Sequence, residues 1–155
     1  MSMHPIQPTI EDEVQTLFES WTDAWNRRSA AEMASLVAPC GHVIGFDGSE
    51  MHGAAEVEAQ LGAIFREHET ASYVAKVREV RLLSRGVALL RAMVGMLPPG
   101  SHELNPEVNA IQTLVAVLYE DRWLIESMQN TPAALHGRPE AREALTAELG
   151  ALVGA

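Results

Sequence analysis

The feature that most restricts the fold is a change of period at Ala71. Before it, apolar residues recur at three- and four-residue spacing. After it they alternate, and the links between alternating runs are mostly too short for parallel crossovers. "TIEDEVQTLFESWTDAWNRR" puts Ile10, Val14, Leu17, Phe18, Trp21 and Trp25 on one helical stripe, behind a Thr9 and Asp12 spaced as a capping box. "SAAEMASLVAP" repeats the device: Ser29 and Glu32 open a helix, Met33, Leu36 and Val37 form its buried side, and Pro39 stops it. Together they predict a helical hairpin. In "HVIGFDGSEMHG" the Asp47-Gly48 pair predicts a short β-hairpin, and Val57, Leu61, Ile64, Phe65 and His68 predict a third helix.

Beyond Ala71 the alternation predicts strands over about 72–83, 86–97, 108–119 and 122–130, with "SRG" and "YEDR" as short turns and "PPGSHELNPE" as the one long loop. In the first strand the apolar set moves from Tyr73, Ala75 and Val77 to Val80 and Leu82, a parity shift that predicts a β-bulge near Arg78. "RPEAREALTAELGALVGA" predicts a last helix over about 139–152, with Pro139 near its first turn and Ala141, Leu145, Leu149 and Leu152 as its seam. At 155 residues the chain suits one core, so residues 9–155 read as a single domain after a flexible leader, 1–8. The fold class expected is α+β: a cone-shaped, strongly curved, mostly antiparallel sheet whose concave face is closed by three helices of the N-terminal half, with an extra C-terminal helix.

Composition narrows the function classes. Eleven basic residues against twenty-one acidic give a net charge of −10, a field that argues against nucleic-acid partners and anionic membrane surfaces. The lone Cys40 leaves no internal disulfide. The polar start lacks a signal peptide's apolar core, and no apolar run approaches the roughly 20 residues a membrane span needs, so a cytoplasmic protein is expected.

The stretch "LIESMQNTP" poses the functional question, because an apolar strand suddenly offers amides. If Glu120 and Asp121 form a two-residue turn, Leu118 lies opposite Trp123, Ala116 opposite Ile125, Leu114 opposite Ser127 and Gln112 opposite Gln129, all on one face. The other face, with Ile111, Thr113, Val115, Val117, Leu124 and Met128, stays apolar until Glu126 interrupts it and Asn130 ends it. Both faces are too apolar for water. One is expected to cover the helices and the other, convex, side to meet a second subunit in a homodimer. Gln112 and Gln129 then project into the hollow, where they either satisfy each other and nearby backbone or hold a ligand.

Three sets of residues carry a family resemblance: "AWNRRSAAEMASLVAP", "GSEMHGAAEVEAQLGAIF", and "VREVRLLSRGVALLRAMVGMLPPG" with "DRWLIESMQNTP". They resemble the nuclear transport factor 2-like superfamily, which includes SnoaL-like polyketide cyclases and ketosteroid isomerases, and the last two look like its SgcJ/EcaC group. The resemblance implies the cone fold, a dimer, and an interior cavity for a small-molecule ligand that is apolar and partly oxygenated, as polyketides are. Ketosteroid isomerases need a carboxylate base, a tyrosine and a protonated aspartate. The matching places here hold Gly45, Trp21 and either Gln112 or Thr113, so that isomerisation is not expected.

For chemistry the sequence offers Arg91, His52 and Asp47 as catalytic candidates. Arg91, the one charge in "VALLRAMVGM", either runs its stem to solvent or lines the cavity as an anion partner. His52 and Asp47, near the third helix, either move a proton or sit on a surface loop. Gln112, Gln129, Ser127 and Asn130 are the polar ligand-binding candidates, and Trp21, Phe46, Phe65, Leu114 and Met93 the apolar ones. Cys40, His42 and His52 match no standard zinc spacing, and there is no GxGxxG, P-loop or Ser-His-Asp pattern, so no metal or cofactor is expected. A cofactor-independent enzyme working by proton transfer is the first reading, and a non-catalytic binding or dimeric association domain the second.

Overall fold

A computed structural model describes residues 6–154; residues 1–5 of the expected leader lie outside the described residues. The first helix, α1 (Ile10–Asn26), starts where the capping box places it. Thr9 Oγ1 accepts the Asp12 N–H and Asp12 Oδ2 accepts the Thr9 N–H, both at 3.1 Å. Its buried stripe is Val14, Leu17, Phe18, Trp21 and Ala24.

The second helix, α2 (Ala30–Ser35), is shorter than its sequence predicts. Ser29 Oγ accepts the Glu32 N–H at 3.3 Å, but the Glu32 carboxylate turns to Arg27 and the box stays half-closed. The helix stops because the Leu36 carbonyl accepts the Ile125 N–H at 2.7 Å, which draws the following residues into a strand, β1 (Val37–Ile44). Pro39 therefore lies within β1, where pairing is interrupted between Val37 and His42, and is not the helix stop.

A turn through Asp47 and Gly48, the latter at φ +90°, leads to β2 (Glu50–His52), which runs directly into α3 (Gly53–Glu67). Then come β3 (Ser72–Ser84), β4 (Val87–Leu97), a single 3-10 turn at Pro106–Val108 that delays the next strand, β5 (Ala110–Tyr119), β6 (Arg122–Pro132) and α4 (Pro139–Gly150). The six strands form one curved sheet in the order β2-β1-β6-β5-β4-β3, antiparallel except where β1 runs parallel to β6. Helices α1 to α3 pack on one face. This is the α+β architecture expected from the change of period.

Of the sheet's register shifts, one in β3 and one in β6 bear on the site. In β3 the pairing passes from Val77 opposite Ala92 to Glu79 opposite Arg91, leaving Arg78 as the extra residue, as the parity shift predicts. Freed from the ladder, Arg78 reaches α4 and donates both terminal nitrogens to Glu148, at 2.6 and 2.7 Å. The second bulge is not anticipated. The Glu120-Asp121 turn has φ of 48° and 69°, and Leu118 does face Trp123 and Ala116 does face Ile125. Past that point Val115 pairs with Ser127, so Glu126 is skipped. Leu114 then lies opposite Met128 and Gln112 opposite Asn130, instead of Ser127 and Gln129. A slip of one residue exchanges the two faces of a strand. Here it brings Met128, rather than Ser127, into the core.

The core between helices and sheet contains Phe18, Met33, Leu90, Leu114, Ile125 and Met128, all fully buried. Each such side chain contributes ~1.5–3 kcal/mol of transfer free energy. On the outer face of the sheet, Leu145 and Leu149 of α4 pack against Val74, Met93, Leu104 and Ile111. The remainder of that face, including Leu89, Val115 and Val117, is half-buried with no helix over it. Among the described residues no helix is long and apolar enough to cross a membrane.

Candidate functional site

The hollow between the helical layer and the inner sheet face holds a cavity of about 320 Å³. Each layer contributes a part of the wall. From α1 come Trp21, Thr22 and Trp25; from α3, Gln60, Leu61 and Ile64. The β1–β2 turn supplies Phe46, Asp47 and Ser49 at the mouth, and the sheet supplies Val43, Tyr73, Met96, Gln112 and Asn130. Larger depressions among the described residues, between α1 and β3, beside α4, and between α1 and the β5–β6 turn, are open grooves walled largely by surface side chains. The enclosed, mainly apolar cavity is the better ligand site.

Its polar groups converge. Gln112, only 4% exposed, donates through Nε2 to Asn130 Oδ1 at 2.9 Å, and Asn130 Nδ2 donates to the Ile44 carbonyl at 3.1 Å. That chain fixes which way both amides point. Gln112 Oε1 and one Nε2 hydrogen are left unused by any described residue, which suits them to a ligand or water. Tyr73 enters from β3, where the Asn26 side chain clasps its backbone: Asn26 Oδ1 accepts the Tyr73 N–H at 2.8 Å and Nδ2 donates to the Tyr73 carbonyl at 3.0 Å. Burial pushes the Tyr73 phenol up to about 12, so at neutral pH it is a protonated donor. Trp25 holds the ring edge-on, centroids 5.4 Å apart, and its own indole N–H donates to the Ala71 carbonyl at 2.8 Å.

Among the described residues Asp47 is the one charged side chain on the wall. Its Oδ1 accepts the Ser49 N–H at 2.9 Å, and that backbone hydrogen bond, before any other influence, holds the carboxyl below its ordinary value. It is ionised at neutral pH.

Of the residues singled out from the sequence, the structure brings Trp21, Phe46, Asp47, Gln112 and Asn130 to this cavity and takes the others elsewhere. Arg91 is on the outer sheet face, its Nε 3.6 Å from Glu79, because inward positions on β4 belong to Leu90 and Ala92. Met93 shares that outer parity and lies under α4. Gln129 is exposed beside Thr113, and Ser127 points outward to His42, Oγ to Nε2 at 3.1 Å; the bulge at Glu126 moved both. His52 is an exposed residue at the start of α3, its ring centroid 6.0 Å from that of His42, on the outer face. Leu114 is fully buried in the core without reaching the cavity, and Phe65 packs edge-on against Trp25 at 5.1 Å. Cys40 is exposed, and no group of three or more His, Cys, Asp or Glu among the described residues is placed to hold a metal ion.

Sequence reasoning missed Tyr73, Trp25 and Gln60 as wall residues. For Tyr73 the signal was present: it alternates in phase with Ala75 and Val77, which face the core.

A fold of this kind, a helical layer closed over a curved sheet with a cavity between them, defines a class, and comparison with known proteins names it. The model of the SnoaL-like domain matches residues 14–134, and the chain belongs to that family. No curated protein matches the sequence. Among solved structures, a domain of unknown function with a cystatin-like fold from Nostoc punctiforme is 22% identical, covering 95% of this chain and 99% of that one with a TM-score of 0.77. A nuclear transport factor 2-like protein of unknown function from Shewanella oneidensis is 18% identical over 77% of this chain and 97% of that one, TM-score 0.64. A structure described as a calcium/calmodulin-dependent protein kinase type II association domain, from Thiobacillus denitrificans, is 15% identical over 83% and 98%, TM-score 0.67. At such identities the likeness is one of fold.

Proposed function

We propose that this chain is a small-molecule-binding domain whose cavity takes an apolar ligand bearing an oxygen atom, with Gln112 and Tyr73 as the groups that recognise that oxygen. The supporting observation is the convergence of an oriented amide and a neutral phenol on an otherwise apolar hollow. Binding is favoured over turnover. With Arg91 and His52 outside the cavity, proton transfer falls to Asp47, and a carboxylate held below its ordinary pKa is a poor base at neutral pH. The likeness of its motifs to those of the SgcJ/EcaC group supports assigning the chain there.

Acetophenone and ethylbenzene, which have the same size and differ in one oxygen, test this reading. Calorimetric titration is expected to show tighter binding of the ketone, and Gln112→Leu to reduce ketone affinity about tenfold while leaving the hydrocarbon unchanged, since one buried hydrogen bond is worth ~1.4 kcal/mol. Equal binding of the two compounds, unaffected by the substitution, would reject the assignment.

A second reading concerns association and is favoured by the uncovered part of the outer sheet face, where Leu89, Val115 and Val117 lie without a helix above them. This face is proposed to join two copies of the chain. The two readings are compatible, because the cavity and the outer face lie on opposite sides of the sheet.

A further inference from the structure

We propose that the ligand of this cavity carries a protonated amine, seated at the mouth between the Asp47 carboxylate and the aromatic side chains around it. The inference rests on the cavity reading above and adds the charge of the ligand to it.

The first support is the sign of the site. Among the described residues Asp47 is the sole charged one lining the cavity, and no lysine, arginine or histidine of theirs lines it. An acidic ligand would meet an uncompensated carboxylate and nothing to pair with, inside a protein whose net charge is −10. The second is the way the carboxylate is held. Ser49 holds the carboxylate through its backbone N–H, at 2.9 Å from Oδ1, and through its side-chain hydroxyl, so the group is already oriented. The third is the wall behind it. Trp21, Trp25, Phe46 and Tyr73 all line this cavity, and ring faces attract ammonium groups within about 6 Å of their centroids. Indole, phenyl and phenol rings would serve an apolar neutral ligand equally well. It is their combination with one oriented, ionised carboxylate that selects a cation. The neutral Tyr73 phenol and the Gln112 amide line the same cavity and are left for the rest of the ligand.

Three compounds of matched shape separate the possibilities: 4-phenylbutylammonium, 4-phenylbutan-1-ol and 5-phenylpentanoate, titrated calorimetrically at neutral pH into the full chain. The ammonium is expected to bind about fivefold more tightly than the alcohol, as an ion pair at a solvent-accessible mouth allows, with the carboxylate weakest. Asp47→Asn, at an exposed turn position where folding is not at risk, is expected to erase the preference for ammonium and leave the alcohol unchanged. An alcohol that matches or exceeds the ammonium, or a preference that survives in Asp47→Asn, would overturn the amine assignment while the cavity reading stood. Met51 of β2 also lines the cavity; if no probe binds, or if a cavity-filling Met51→Trp variant that still folds binds all three as well as the native chain, the cavity reading falls and this inference falls with it.

Discussion

Tyr73 shows how much of the site depends on one side chain being kept from water. Its phenol is pushed up to about 12 by burial alone, with no neighbouring charge responsible. A group whose folded-state pKa is raised contributes stability that is complete below its ordinary value of 10.0 and is lost as pH rises through the folded value. The window of loss is therefore about 10 to 12. Spectrophotometric titration is expected to show a late tyrosinate step near the upper end of that window, absent in Tyr73→Phe, and the native chain's unfolding free energy should fall across the same interval. If the step lost in Tyr73→Phe lies near the ordinary value of 10.0 instead, the ring is wet. The Asn26 clasp explains why the ring stays where it is: an edge strand has free backbone groups, and one side-chain amide here occupies a pair of them as a neighbouring strand would.

At the scale of elements, the β5–β6 hairpin governs the chemistry of the cavity. Its turn uses Glu120 and Asp121 at φ 48° and 69°, a region that side chains other than glycine and asparagine enter at a cost. Replacing the pair by Asn-Gly is expected to stabilise the protein by ~1 kcal/mol, which at this size raises the melting temperature by about 2–4 °C. Thermal unfolding measures it, and an unchanged or lower melting temperature would show that the turn carries no strain. The same hairpin marks the limit of what the sequence conveys. Helix starts, the bulge at Arg78 and the turn itself were legible because each has a local signature: a Thr9–Asp12 spacing, a parity change, a two-residue gap. The bulge at Glu126 was not, because the strand alternates acceptably in either register, and only packing of Met128 against the helices decides between them. Asn130 was named from its residue type, yet its partnership with Gln112, and the departure of Gln129 and Ser127, depend on that choice.

For the molecule as a whole, the sheet acts as a partition between two surfaces of different use. Residues of odd number along β5, Val115 and Val117 among them, face away from the cavity, while Gln112, Leu114 and Ala116 face inward. If two copies meet through the outer face, light scattering coupled to size exclusion should give a dimer at micromolar concentration, and Val115→Arg should give a monomer whose cavity ligands bind as before. A native monomer would remove the dimer proposal. The unpaired residue at Glu126 has a consequence for how such a protein diversifies. Removing that single codon would close the bulge with Ser127 still opposite Val115 and Asn130 still opposite Gln112, whereas drawing Glu126 into the ladder opposite Val115 would send Asn130 outward and Gln129 and Ser127 inward. Ligand preference and subunit contact would both be rewritten by that change of pairing, which alters no side chain, so the fold tolerates loss of this residue better than its entry into the ladder.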